Sequence, residues 1–237
     1  MLLSRATPFE TAALDIEIRK FFATPVIGNA NLSVGQCMWG VYAFYDYDDE
    51  PIYVGQTNER LSSRVRRHLT NRRTDAVAMS VLDPFEVFSV SVWPLPQFQG
   101  LTKKTDKAAF GTALLYLNDL EAAVYEKCVG DSKFGAVLNE KIPLAKNPVV
   151  PPQEYRGDII TPEVEKLRGH PDIRLARRAA TIARLALIIS ERTIKQGLRR
   201  TLLVQAERLE WLAKQRLAAF AKEVKKEDRN GGKDADE

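Results

Sequence analysis

The sequence has few of the residues on which zinc proteins and disulfide-rich proteins depend. Among 237 residues there are two cysteines, Cys37 and Cys128, and two histidines, His68 and His170. Isolated cysteines without metal-ligand spacing argue against a structural zinc site and against a disulfide framework. This usage fits a reducing compartment, so the expected location is the cytoplasm.

Long apolar runs are also missing. No stretch reaches the length of a membrane span, and the N-terminal MLLSRATPFETAALDIEIRK lacks the apolar core and cleavage site of a signal peptide. The hydrophobic content of 45% is nevertheless enough for a substantial core in one or two domains.

The excess of positive charge is small but uneven. The net charge is +4, yet residues 163–229 hold 17 Lys and Arg against 9 Asp and Glu. A polyanion would meet positive potential there, although a solvated helix face explains the same charges. A second basic stretch contains Arg60, Arg64, Arg66, Arg67, Arg72 and Arg73.

The most informative segment has the pattern of a β-hairpin. Residues 39–47 (WGVYAFYDY) are aromatic and β-branched, residues 48–51 (DDEP) interrupt them, and residues 52–54 (IYV) resume the same character. Two such runs joined by a polar, proline-containing connection predict paired strands. The hairpin would present Tyr42 and Tyr53 on a small sheet.

A helix is predicted directly after the hairpin. Asn58 can cap its start. Arg64 and His68 lie four residues apart and therefore one turn apart on the helix. The row that would face the sheet consists of Leu61, Val65 and Leu69.

These motifs, taken in order, resemble the GIY-YIG nucleases. The match consists of GVY at 40–42, YVG at 53–55, the separation between them, and the R-x-x-x-H of Arg64 to His68. The stretch FFATPV at 21–26 looks similar to the segment that precedes the hairpin in the restriction-enzyme branch. The short motifs are weak alone, and their joint order carries the resemblance.

The resemblance also expects a metal-binding glutamate on a helix and an asparagine after a short apolar step. Glu121 in LEAAV and Asn139 in VLN match these. The interval between them is longer than in the family, so Glu126 fits better by distance to Asn139, whereas Glu121 fits better by local sequence. Five positions are about 140° of helical rotation, so the two carboxylates cannot share one role. We predict Glu121.

The implied reaction is metal-dependent hydrolysis of DNA phosphodiester bonds. A divalent cation, Mg²⁺, held by Glu121 would contact the phosphate and the leaving oxygen. Arg64 would supply a permanently charged fork for phosphate oxygens.

The remaining candidate residues would transfer the proton and orient the reacting groups. Tyr42 is the expected general base, with His68 as its relay because the histidine pKa lies near neutrality. Tyr53 would orient the phosphate or the water, and Asn139 would hydrogen-bond near the scissile group. Each residue alone has an ordinary explanation: a packed tyrosine, a structural histidine, a turn asparagine or an acid at a helix start.

The predicted fold class is α+β, with a small, mostly antiparallel three-stranded sheet flanked by helices and a C-terminal helical extension. The predicted third strand lies within residues 85–93. The expected division is a leader with a helix near residues 9–22 (1–36), a nuclease core (37–147), a linker (148–171), a helical extension (172–229) and a disordered tail (230–237).

The functional prediction is a GIY-YIG endonuclease of the restriction type that acts on DNA, with a possible homodimer through the C-terminal helices. Two alternatives stay open at this point. One is a nucleic-acid-binding module that keeps the fold without cutting, and the other is a helical interaction protein.

Overall fold

The computed structural model describes residues 8–70, 82–191 and 196–231, with side chains described as far as residue 222. Parts of the predicted leader, basic stretch and tail lie outside these residues, namely 1–7, Arg72, Arg73 and 232–237. Within the described ranges, none of the helices combines the length and the apolar character needed to cross a membrane.

The N-terminal part forms one helix and a short ribbon, namely α1 (Phe9–Phe22), β1 (Pro25–Val26) and β2 (Asn29–Ser33). The predicted helix over residues 9–22 is confirmed. Its buried row of Leu14, Ile18 and Phe22 joins the hydrophobic core on one face of the central sheet.

The central sheet is antiparallel and is built from β3 (Gly40–Tyr45), β4 (Pro51–Thr57), β5 (Ser89–Pro94) and β6 (Tyr155–Asp158). Its strand order is β4–β3–β5–β6, so β4 lies at one edge. The hairpin of β3 and β4 is confirmed, with Tyr42 opposite Gly55 and Phe44 opposite Tyr53.

The prediction of three strands is wrong because a fourth strand, β6, pairs with β5. β6 comes from the segment predicted as a linker. Its sequence YRGD has no apolar alternation, and its side chains are only half-buried or exposed. The strand forms because residues 155–158 satisfy backbone groups of β5 that would otherwise be left at a sheet edge.

Helix α2 (Leu61–Leu69) packs Leu61, Val65 and Leu69 into the core, as predicted. The predicted cap at Asn58 is wrong, since the helix begins at Leu61 and Arg60 takes the cap position without a side-chain hydrogen bond. The Leu61 amide instead donates to the Cys37 carbonyl at 2.9 Å, so a backbone group does the work of a cap.

The two faces of the sheet are covered by different helices. Side chains alternate along a strand, so Tyr42 and Phe44 face α1 and α2, whereas Val41 and Ala43 pack against α3 (Lys107–Asp131). The first turn of α3 is capped by Asp106, whose Oδ1 accepts from the Ala108 and Ala109 amides.

The C-terminal part is helical: α4 (Pro162–Arg168), α5 (Pro171–Glu191) and α6 (Gln196–Gly231). Helices α5 and α6 pack against each other. They are also attached to the turn of the β3–β4 hairpin by buried ion pairs, and we call this group of side chains the hairpin lock. The hairpin lock comprises Asp46, Asp48, Glu86, Arg174, Arg178 and Arg208.

Asp46 is the centre of the hairpin lock. Its Oδ2 accepts from Arg178 at 2.8 Å and from Arg208 at 2.5 Å. Its Oδ1 accepts from the backbone amides of Asp48 and Glu50 in the turn. Three arginines face three carboxylates, so the charges balance within a buried cluster. Removing one partner would leave a buried charge uncompensated, which costs about 3–5 kcal/mol.

Candidate active site

The hydroxyl of Tyr42 lies between Arg64 and His68 of α2. Tyr42 Oη is 2.9 Å from His68 Nε2, and Arg64 Nε donates to the same oxygen at 3.3 Å. The Tyr42 ring is fully buried on the central part of the sheet. The structure therefore joins three of the predicted residues in one hydrogen-bonded group.

The amphipathic pattern of α2 explains this placement. With Leu61, Val65 and Leu69 facing the core, Arg64 and His68 are directed to the side of the helix next to β4. The ring of Tyr53 lies 5.3 Å from the ring of His68, centre to centre. Burial, the largest influence, lowers the pKa of Arg64, but Tyr42, Tyr53 and Glu59 together raise it above its ordinary value. Arg64 stays charged.

Gly55 is required by the position of the Tyr42 ring. A Cβ atom at residue 55 would lie 2.6 Å from both Cζ and Oη of Tyr42, and 2.9 Å from Cε1 of Tyr53. Any side chain here would displace the two rings. The glycine of the YVG motif thus has a packing reason inside the site.

A cavity of about 540 Å³ opens beside these residues, along the edge strand β4. Tyr53, Arg64, His68, Glu121 and Asn139 line it, together with residues 140–143 and Leu82. Tyr42 lies behind this wall and reaches the cavity through its bonds to Arg64 and His68. All six predicted site residues are therefore gathered at one place.

Glu121 enters the cavity from α3, on the opposite side of the sheet edge from α2. Burial raises its pKa from the ordinary 4.5 to about 7, and the amide of Gln56 and the charge of Arg64 partly offset that rise. Glu126 is exposed, five residues further along the same helix. Of the two carboxylates, Glu121 is the one that lines the cavity.

The side chain of Asn139 forms hydrogen bonds with the backbone of the edge strand. Its Oδ1 accepts from the Val54 amide at 3.0 Å, and its Nδ2 donates to the Val54 carbonyl at 2.7 Å. The side chain therefore replaces the missing neighbour strand at this point of β4. The prediction that Asn139 hydrogen-bonds near the scissile group stays a prediction, and its observed partner is Val54.

The sequence analysis did not identify Gln56 and Asn118 as residues of the candidate site. Gln56 Nε2 donates to Asn118 Oδ1 at 2.7 Å, and the Gln56 amide also interacts with Glu121. Two signals were available. Gln56 follows Val54 by two residues and so shares its side of β4, and Asn118 precedes Glu121 by three residues on one helix face.

The site fits a single hard cation held by one carboxylate. Among the described residues, no group of three or more His, Cys, Asp and Glu side chains is clustered as a metal cage would be. Glu121 is a desolvated carboxylate that lines the cavity. A cation that keeps most of its waters needs only such oxygen donors.

The raised pKa of Glu121 predicts a pH-dependent cost to stability. Its pKa is higher in the folded chain, about 7, than its ordinary 4.5, so stability falls as pH rises from about 4 to 8. Glu121→Gln removes this cost. We expect it to raise the free energy of unfolding by about 2 kcal/mol after solvent screening, and the melting temperature by about 4–8 °C, at pH 8 in EDTA, with little change at pH 4.

Thermal unfolding followed by circular dichroism measures this effect, with Glu126→Gln as the exposed control on the same helix. An equal shift for Glu121→Gln at both pH values would show that its charge is not desolvated in the folded protein.

Comparison with known proteins agrees with the geometry of the site. Residues 38–96 match the family model described as the GIY-YIG catalytic domain. No curated protein and no solved structure matches the chain. Tyr42, Tyr53, Arg64 and His68 fall inside the matched segment, whereas Glu121 and Asn139 lie beyond it. The match is to the catalytic domain as such, so the restriction-enzyme branch stays a prediction. The match of residues 38–96 to the GIY-YIG catalytic domain points to a nuclease.

Proposed function

We propose that this protein is a metal-dependent DNA endonuclease of the GIY-YIG type. The observation that carries the proposal is the convergence of Tyr53, Arg64, His68 and Glu121 on one cavity, with the Tyr42 hydroxyl bonded to Arg64 and His68. A purely structural domain has no need of this set of cationic, acidic and proton-transferring groups beside an open cavity.

Arg64 binds the scissile phosphate. Its guanidinium lines the cavity and is held at one nitrogen by Tyr42 Oη, which leaves other N–H groups for phosphate oxygens. A preorganised cation of this kind stabilises the charge that develops on the phosphate oxygens in the transition state.

Tyr42 and His68 move the proton of the attacking water. The 2.9 Å bond between Tyr42 Oη and His68 Nε2 allows a proton to pass between the two groups. His68 lines the cavity, whereas Tyr42 is buried, so the histidine is the member of the pair that faces the water. Tyr53 stands beside His68 and orients the water or the phosphate.

Glu121 holds the cation. When bound, a divalent ion such as Mg²⁺ supplies positive charge to the phosphate and to the leaving 3′ oxygen. Glu121 must be deprotonated to bind it, and because its pKa is about 7, protons would compete with the metal for this carboxylate near neutrality. Asn139 keeps β4, and with it Tyr53, in place through Val54.

The finer parts of the proposal concern biology and assembly. A restriction-type role in the cytoplasm rests on the resemblance of residues 21–26 and on cysteine usage. A homodimer through the C-terminal helices rests on exposed apolar residues of α6 such as Leu217 and Phe220. The hairpin lock shows that three arginines of α5 and α6 serve the fold of this chain.

Cleavage of DNA by the purified protein tests the proposal. We expect nicks or breaks in plasmid and linear DNA with Mg²⁺, no products in EDTA, and ends that carry 5′ phosphates and 3′ hydroxyls. DNA binding without any cleavage across divalent metals and DNA sequences would favour the non-cutting module instead.

A further inference from the structure

The edge strand of the sheet is held in place by a short downstream segment. The Leu138 amide donates to the Ile52 carbonyl at 2.8 Å, and the Asn139 side chain pairs with both backbone groups of Val54. We call residues 138–140 the edge clamp. Its hydrogen bonds hold the part of β4 that carries Tyr53 and Gly55. Along the chain, the edge clamp continues into the cavity wall at residues 140–143.

The edge clamp is itself held from its other side by the start of α6. Arg200 Nη2 donates to the Asn139 carbonyl at 3.0 Å and to the Glu140 carbonyl at 3.3 Å. Thr201 Oγ1 lies 3.5 Å from the Leu138 carbonyl. Three consecutive carbonyl groups of the edge clamp are thus contacted by one turn of α6.

The approach of α6 to the edge clamp leaves no room for a side chain at residue 197. A Cβ atom at Gly197 would lie 2.0 Å from the Glu140 carbonyl oxygen. Glycine at this position lets Arg200 and Thr201 reach the carbonyl groups. An arginine suits the task because one guanidinium nitrogen can serve two carbonyl oxygens, and the charge strengthens both bonds.

Arg200 also lies near the helix that carries the carboxylate of the site. Burial raises the pKa of Tyr125, and the charge of Arg200 partly counteracts that rise. Tyr125 follows Glu121 by four residues on α3, so the two side chains lie one turn apart. The charge of Arg200 therefore acts on α3 as well as on the edge clamp.

We infer that Arg200 is a positioning residue of the active site, which acts through Asn139 on the edge strand and on the cavity wall. It holds the carbonyl groups of Asn139 and Glu140, Asn139 holds Val54, and Val54 lies between Tyr53 and Gly55. The kinetic consequence rests on the proposed nuclease function, whereas the structural consequence does not.

Arg200→Ala tests the kinetic consequence against Arg199→Ala, which removes the same charge at the exposed neighbouring residue. We expect kcat to fall about 10- to 100-fold for Arg200→Ala at nearly unchanged KM and salt dependence, because a misplaced site loses rate without losing a phosphate contact. Arg199→Ala should stay near wild type, and Arg200→Lys should recover part of kcat.

A double-mutant cycle with Asn139→Ala gives the route of the effect. If Arg200 acts through Asn139, the double variant loses little more rate than the worse single variant. A raised KM with a flatter salt dependence and additive losses would overturn the inference, since Arg200 would then contact DNA directly.

Amide hydrogen exchange decides the structural part without any activity. In Arg200→Ala, exchange in peptides covering residues 52–57 should accelerate about tenfold at temperatures well below unfolding, and in Arg199→Ala it should not. Unchanged protection in these peptides would overturn the inference. A wild-type protein that cuts no DNA would refute the proposed function, while the exchange result would still decide the role of Arg200.

Discussion

Glu121→Ala is expected to lower the rate of Mg²⁺-dependent DNA cleavage by about 10³-fold or more. The carboxylate is the acidic group that α3 directs into the cavity, and its removal takes away the ligand proposed for the cation. A single-turnover assay with excess enzyme measures the rate of the chemical step. Adding Mg²⁺ at pH 8 should stabilise the wild type against heat and leave Glu121→Ala unchanged.

Glu126→Ala is the matched control for this experiment. It removes the same charge from the same helix at an exposed position and should cleave within about twofold of wild type. Retained activity in Glu121→Ala together with loss in Glu126→Ala would reverse the assignment of the metal ligand.

Arg64→Ala should reduce the cleavage rate by about 10³-fold while the protein stays folded. The change removes a permanent charge from the cavity and deprives Tyr42 Oη of one of its hydrogen bonds. The measurement is again a single-turnover rate, with far-ultraviolet circular dichroism as the check on folding.

Arg67→Ala is the control, because Arg67 lies about one turn further along α2 and does not line the cavity. Its guanidinium forms an ion pair with Glu59 at 2.6 Å. Both variants lose one positive charge, so the nonspecific electrostatic contribution to DNA binding is matched. Equal rate losses in the two variants would mean that Arg64 contributes only to general charge.

The parts of the fold that were predicted correctly depend on local patterns. The hairpin follows from two aromatic and β-branched runs around DDEP, and α2 follows from the four-residue spacing of Leu61, Val65 and Leu69. Strand β6 was missed because its YRGD sequence is half-exposed and pairs with β5 from more than 60 residues away. No local pattern reveals a pairing of that kind.

The proximity of the candidate site residues was predictable from the sequence, whereas their contacts were less so. The motif order indicated Tyr42, Tyr53, Arg64, His68, Glu121 and Asn139, and the cavity gathers them. The partner of Asn139 is a backbone segment 85 residues away, which spacing cannot show.

The count of charges in the sequence did not decide whether the C-terminal arginines belong to a solvated helix face or to a surface that binds DNA. For Arg174, Arg178 and Arg208 the structure shows neither role, since they are buried against Asp46, Asp48 and Glu86. Their partners lie far away in the sequence, so a count of charges along the chain could not reveal them.

The hairpin lock has a consequence for how this chain is made. Synthesis proceeds from the N-terminus, and domains fold as their residues emerge from the ribosome. Asp46 meets Arg208 across 162 residues, and the edge clamp meets Arg200 across about 60. A nascent chain or proteolytic fragment that stops before residue 200 therefore lacks the attachments made by Arg200 and Arg208 and keeps only those of Arg174 and Arg178. Fragments of this length are expected to be less well ordered around the cavity than a chain that includes α6.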